Sequence, residues 1–141
     1  MLFQSNLVKE YINFQKLSPS PFHVVEHLSK LYQSEGFTEL DLGSEWSFGK
    51  NELFYAIHPE GKSIIAFRLA KLAPSKTGFA LIGAHTDSPT LRLKSRPFSN
   101  IDDYSMIQTQ VHGGLINRSW IDRPLILAGR IYNYSKNKKN F

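Results

Sequence analysis

Phe79-Ala80-Leu81-Ile82-Gly83-Ala84-His85-Thr86-Asp87-Ser88-Pro89 is the stretch whose reading decides the fold. Six apolar or small residues in a row, closed by His85 and then by Ser88-Pro89, predict a buried strand over 79–84 that stops at its polar end. On an extended backbone, residues two apart point to the same side, so His85 and Asp87 are expected to face one cavity. A neutral imidazole is a good metal ligand, and a carboxylate beside it fixes its tautomer and raises its basicity. The plainer alternative leaves His85 as a satisfied histidine at a strand end, with Asp87 capping the turn. Spacing alone does not choose between them.

Working outward, the chain predicts an α/β layered domain. Phe3, Leu7, Val8, Tyr11 and Ile12 recur at helical spacing, which predicts an amphipathic helix over 4–17. Ser18-Pro19-Ser20-Pro21 ends it and opens a second, with Ser20 as N-cap, Pro21 as first helical residue and Gly36 as the left-handed stop. In that helix Phe22, Val24, Val25, Leu28, Leu31 and Tyr32 share one face. His23, Glu26, His27 and Lys30 share the other. His23-Val24-Val25-Glu26-His27 therefore spells an inverted zinc-peptidase signature, but with the apolar face on a sheet its histidines are expected to point to solvent, away from any pocket. Residues 53–58 and 63–68 flank the turn Pro59-Glu60-Gly61-Lys62 and predict a hairpin, with His58 at the surface. Residues 74–78 read as loop. Residues 90–96 alternate apolar and basic and predict a half-buried strand stopped by Pro97, with 99–103 as loop. Residues 106–111 predict a strand ending at His112-Gly113-Gly114, and 124–132 one more.

Composition narrows the function classes. The chain has 141 residues, 41% hydrophobic and 21% charged, as an ordinary globular domain has. With no cysteine, disulfides and thiolate metal sites are excluded, so a metal must be held by imidazole and carboxylate. No apolar run approaches the roughly 18 residues of a membrane span, and the N-terminus lacks a secretory pattern. A cytoplasmic setting is the expectation. A net charge of +5 raises nucleic acid as a partner. The basic residues are scattered, however, and the densest cluster, residues 136–140, stands at the end of the chain. No nucleic-acid and no membrane partner is expected.

Three blocks in order carry a resemblance. Ser18-Pro19-Ser20-Pro21-Phe22-His23, Ile82-Gly83-Ala84-His85-Thr86-Asp87-Ser88-Pro89, and Trp120-Ile121-Asp122-Arg123-Pro124-Leu125 with Leu127-Ala128-Gly129-Arg130 together resemble the aspartyl aminopeptidase family of zinc metallopeptidases. The resemblance implies an exopeptidase that removes an N-terminal, commonly acidic residue from peptide substrates. It implies two zinc ions and assembly as a homo-oligomer. It also implies an α/β fold in which N-terminal helices pack on a mixed β-sheet, part of a zinc-exopeptidase-type catalytic domain. By motif match His85 is the metal ligand and Asp87 the catalytic carboxylate beside it. Zinc would lower the pKa of a bound water toward about 7 and polarise the scissile carbonyl.

The departures matter equally. Family members are several hundred residues long and take their bridging aspartate, general-base glutamate and remaining ligands from later sequence. Residues 1–141 are thus expected to be the N-terminal part of the catalytic domain, ending near an inserted oligomerisation domain and inactive alone. The alternatives are a non-catalytic assembly or regulatory remnant of the same fold and, ranked below it, a basic nucleic-acid-binding module. The family pattern leads one to expect tyrosine at position 112, where His112 stands, and Asp122-Arg123 reads as a buried salt-bridged turn.

Overall fold

A computed structural model describes residues 2–48, 50 and 52–132. The basic cluster at 136–140 lies outside them. Two helices open the chain, α1 (Leu2–Leu17) and α2 (Pro21–Ser34). Ser20 takes the extended N-cap conformation ahead of Pro21, and its hydroxyl bonds His23 Nδ1 at 2.7 Å instead of a backbone N–H. Gly36 accepts a φ of 82°, where a Cβ is disfavoured. Three strands follow: β1 (Thr38–Glu39), β2 (Leu53–Ile57) and β3 (Ile64–Arg68). β2 lies between a parallel β1 and an antiparallel β3, so the sheet is mixed. The expected hairpin is present, and His58 is exposed at its turn. The chain is thus a mixed α/β protein, as its sequence predicts.

The core sits on β2, which is buried on both faces. Alternation sends Phe54 and Ala56 to one side, against Leu40, Phe67 and Leu69. Phe54 meets Phe48 edge-on at 5.1 Å and Phe67 at 5.8 Å, with Trp46 stacked on Phe67 at 6.0 Å. Tyr55 points to the other side, with its ring 5.9 Å from Tyr32 of α2. Its hydroxyl donates to Glu39 at 2.7 Å and accepts from Gln33 Nε2 at 2.7 Å. A phenol that both donates and accepts can be fully buried without an orphaned polar atom.

Beyond the three-stranded sheet come a short helical turn, α3 (Pro74–Thr77), and a two-stranded ribbon of β4 (Thr90–Ile101) and β5 (Tyr104–His112). The chain divides into two compact units. One runs to Thr86 and takes in the stretch from Ala128 on; the other is Asp87–Leu127.

Several expectations are corrected. Residues 79–84 form no strand, and Phe79, Leu81 and Ile82 are almost wholly exposed, at 80%, 87% and 102%. A strand needs a neighbour to close its hydrogen-bond ladder, and no described segment pairs with this one. Residues 124–132 are likewise not a strand, and Ile126 and Ile131 are exposed. Residues 74–78 are not plain loop, because Lys76 donates back to the Ala73 carbonyl at 2.8 Å. β4 does not stop at Pro97. Its register breaks between Leu93 and Phe98, so residues 94–97 stand opposite Gln108 alone, and a proline inside such a bulge removes no ladder bond. The strand then runs through residues expected as loop to a turn where Asp102 has a φ of 51°, a conformation aspartate tolerates better than most residues. The apolar residues of α1 are present at the expected spacing, yet Leu7, Val8, Tyr11 and Ile12 are exposed.

Candidate functional site

Thr86 anchors the end of the 79–89 stretch. Its hydroxyl donates to the Lys62 carbonyl in the β2–β3 turn at 2.8 Å. His85, one residue earlier, is exposed; Asp87, one residue later, is half-buried. The boundary between the two units falls between Thr86 and Asp87.

Within the second unit, Asp87 has a partner that spacing did not reveal. His112 Nε2 lies 2.8 Å from Asp87 Oδ2, and Arg92 Nη2 lies 3.0 Å from the same ring nitrogen. The ribbon makes this meeting possible. Thr90 pairs with His112 in the ladder, so the end of β5 returns to the residues that follow Asp87. Gly113 continues the turn with a φ of 74°, and a Cβ there would meet Pro89 at ordinary van der Waals distance. Glycine is favoured at this position by the left-handed backbone and not by lack of room.

The inverted peptidase signature on α2 holds no metal site. His23 is bonded to Ser20, Glu26 is paired with Lys30, and His27 packs edge-on against Phe14 of α1 at 5.3 Å. Lys30, through its hydrogen bond and its charge, holds the Glu26 carboxyl below the usual range. The histidines are not simply in solvent, however. Both are half-buried, and His23 and Glu26 line an open cleft of about 390 Å³ with Phe22, Ile57, Gly61 and Arg130. The Arg130 guanidinium lies 4.3 Å over the Phe22 ring and donates to the Glu60 carbonyl at 3.3 Å.

Gly61 keeps that cleft open for Arg130. It has a φ of 70°, and a Cβ would collide with Arg130 Nη2. Gly61→Ala is expected to destabilise the unit by about 1–2 kcal/mol through the left-handed backbone and to swing the flexible guanidinium off Phe22. A denaturant midpoint and a structure of the variant check both effects.

The third matched block is an exposed turn instead of a buried ion pair. Asp122 has a φ of 52°, and Arg123 donates to the Ser119 carbonyl at 3.0 Å.

Among the described residues, no group of three or more His, Asp or Glu side chains could hold a metal ion. Three protein ligands are the usual minimum for zinc, so the donors present do not fit a complete zinc site.

Residues 14–141 match the family described as aminopeptidase I zinc metalloprotease (M18). The chain belongs to this family. Its curated relatives include proteins named "Probable M18 family aminopeptidase 2" from Clostridium novyi, 39% identical over 123 residues, and from Pseudomonas fluorescens, 38% identical over 120 residues. These alignments cover 86% and 85% of this chain and 28% of each relative. The chain therefore spans just over a quarter of the length of the relatives it matches. Yeast aminopeptidase 1 superposes with a TM-score of 0.73 at 31% identity, covering 84% of this chain and 28% of the yeast chain. The M18 aminopeptidase of Thermotoga maritima superposes with a TM-score of 0.70 at 26% identity, over 84% of this chain and 25% of its own. A further yeast neighbour, at a TM-score of 0.73 and 31% identity over 83% of this chain and 27% of its own, is described as an aminopeptidase dodecamer. M18 proteins are metalloaminopeptidases, and the chain is assigned to an enzyme family on this footing.

Proposed function

We propose that residues 1–141 are the N-terminal part of the catalytic domain of an aminopeptidase that removes an N-terminal, acidic residue from peptides. In this reading His85 is a ligand to one of two zinc ions, Asp87 is the carboxylate that supports it, and the remaining ligands and the general base come from outside this chain. One observation carries the reading: the family match embraces His85 and Asp87, while no group of three or more His, Asp or Glu side chains among the described residues could hold a metal ion. That the chain spans about 28% of its relatives' length agrees with it. Assembly of the complete enzyme as a homo-oligomer belongs to the same proposal, by likeness to the yeast dodecamer. So does a cytoplasmic setting, on the cysteine-free composition. No described helix is long and apolar enough to cross a membrane.

This chain's own residues have limited work to do. His85 presents an exposed imidazole at the end of a segment pinned by Thr86, and Asp87 presents a half-buried carboxylate held by His112. Neither carries out hydrolysis alone.

The incomplete donor set also favours a second reading, a non-catalytic assembly or regulatory remnant of the fold. Assays on glutamyl- and aspartyl-p-nitroanilide separate the two. The aminopeptidase reading expects no turnover by residues 1–141 and chelator-sensitive turnover by a longer product of the same reading frame. Lack of turnover by the longer product would favour the remnant.

A further inference from the structure

We propose that His112 is a positioning residue of Asp87, and that it acts on the carboxylate through a proton carried on Nε2. The inference rests on the reading of Asp87 as a site residue. His112 Nε2 is 2.8 Å from Asp87 Oδ2, with the imidazole less exposed than the carboxylate it meets, at 30% against 45%. A carboxylate has no proton to give, so the ring nitrogen donates. Arg92 Nη2, 3.0 Å from the same nitrogen, is also only a donor. Nε2 cannot donate to Asp87 and accept from Arg92 at once. A neutral imidazole therefore has two arrangements: the Nε2–H tautomer bonds Asp87, and the Nδ1–H tautomer accepts from Arg92. Both bonds involve an ionised partner, and the shorter contact selects the first: with the proton on Nδ1, the Nε2 lone pair would face the Asp87 carboxylate oxygen at 2.8 Å with no proton between them, whereas the Arg92 side chain stands at 3.0 Å on a flexible stem.

A phenol at this position would behave differently. Its one oxygen donates and accepts together, so it can serve Asp87 and Arg92 in a single arrangement. A phenyl ring fills space and serves neither. His112→Tyr and His112→Phe thus separate the hydrogen bond from bulk.

The test uses the 141-residue chain. A long-range 1H–15N spectrum recorded above neutral pH is expected to show His112 carrying its proton on Nε2, and Asp87→Ala to move that proton to Nδ1. An unprotonated Nε2 in the unaltered protein, or no change in Asp87→Ala, overturns the proposal, and the first of these observations needs no variant to fold. In the variants, His112→Phe is expected to shift the Asp87 carboxylate 13C resonance, the loss of one hydrogen bond to a charged group. His112→Tyr is expected to keep it near the unaltered value. An unshifted resonance in the Phe variant would make His112 a space-filler only. These readouts do not involve hydrolysis. An intact hydrogen bond, combined with undiminished peptidase turnover by Asp87→Ala in the longer product, would contradict the site reading alone.

Discussion

Phe54→Ala is expected to lower unfolding stability by about 3–5 kcal/mol, the usual cost of truncating a buried aromatic residue. Phe54 is 2% exposed, and among the described residues β2 is the strand of its sheet with neighbours on both sides. Its ring joins Phe48, Phe67 and Leu40 into one cluster, so a cavity there cannot be filled by one neighbour turning inward. The total stability of a natural domain is only about 5–15 kcal/mol. The variant should thus be largely unfolded at moderate denaturant where the unaltered chain is still folded. Ile82→Ala is the matched control: Ile82 is fully exposed, and a surface change of this kind is worth within about 0.5 kcal/mol. Urea titrations of the two variants check the contrast. Equal midpoints would mean that the core does not lie on β2.

Tyr55→Phe is expected to cost about 1–2 kcal/mol, the net worth of the hydroxyl's hydrogen bonds to Glu39 and Gln33, whose exposed side chains can turn to water in the variant. The phenyl ring still packs on Tyr32, but Glu39 loses its donor and Gln33 its acceptor. The same hydroxyl gives a pH dependence. Burial, and next the hydrogen bond to Glu39, push the Tyr55 pKa above the usual tyrosine value. The folded state therefore holds this proton more tightly than the unfolded state. Its contribution is complete below about pH 10 and is lost as the pH rises from there through the folded-state value. Denaturant midpoints across that window should fall less steeply for Tyr55→Phe than for the unaltered chain. Parallel slopes would contradict the buried network.

Local sequence carried the helices, the β2–β3 hairpin and β5, because caps, turn residues and periodicity act within a few positions. Ser20-Pro21 and Gly36 bound α2 as their chemistry requires. The failures share a different cause. Residues 79–84 and 124–132 have the composition of buried strands, but a strand exists only when a partner closes its ladder, and a segment does not encode its partner. Pro97 misled for the opposite reason: the bulge that accommodates it is a property of β4 and β5 together.

The candidate site was legible to the same depth. His85 and Asp87 stand two positions apart and were found by reading along the chain. His112 is 25 positions from Asp87, and only the pairing of Thr90 with His112 brings it near. The signal existed, since strands at 90–96 and 106–111 ending in a glycine pair imply that a ribbon returns His112 to the residues after Asp87. The inverted signature on α2 misleads in the other direction. It has the right letters at the right spacing, yet His23 bonds Ser20, Glu26 pairs with Lys30 and His27 packs edge-on against Phe14.

Zinc content of the purified 141-residue chain tests most directly whether it supplies one corner of a metal site or a whole one. After exposure to zinc and exhaustive dialysis, well under one zinc ion per chain is expected, because no group of three or more His, Asp or Glu side chains among the described residues could hold a metal ion and zinc sites need three or more ligands. One or more tightly held zinc ions per chain, removable by a chelator and lost in His85→Ala, would contradict the account.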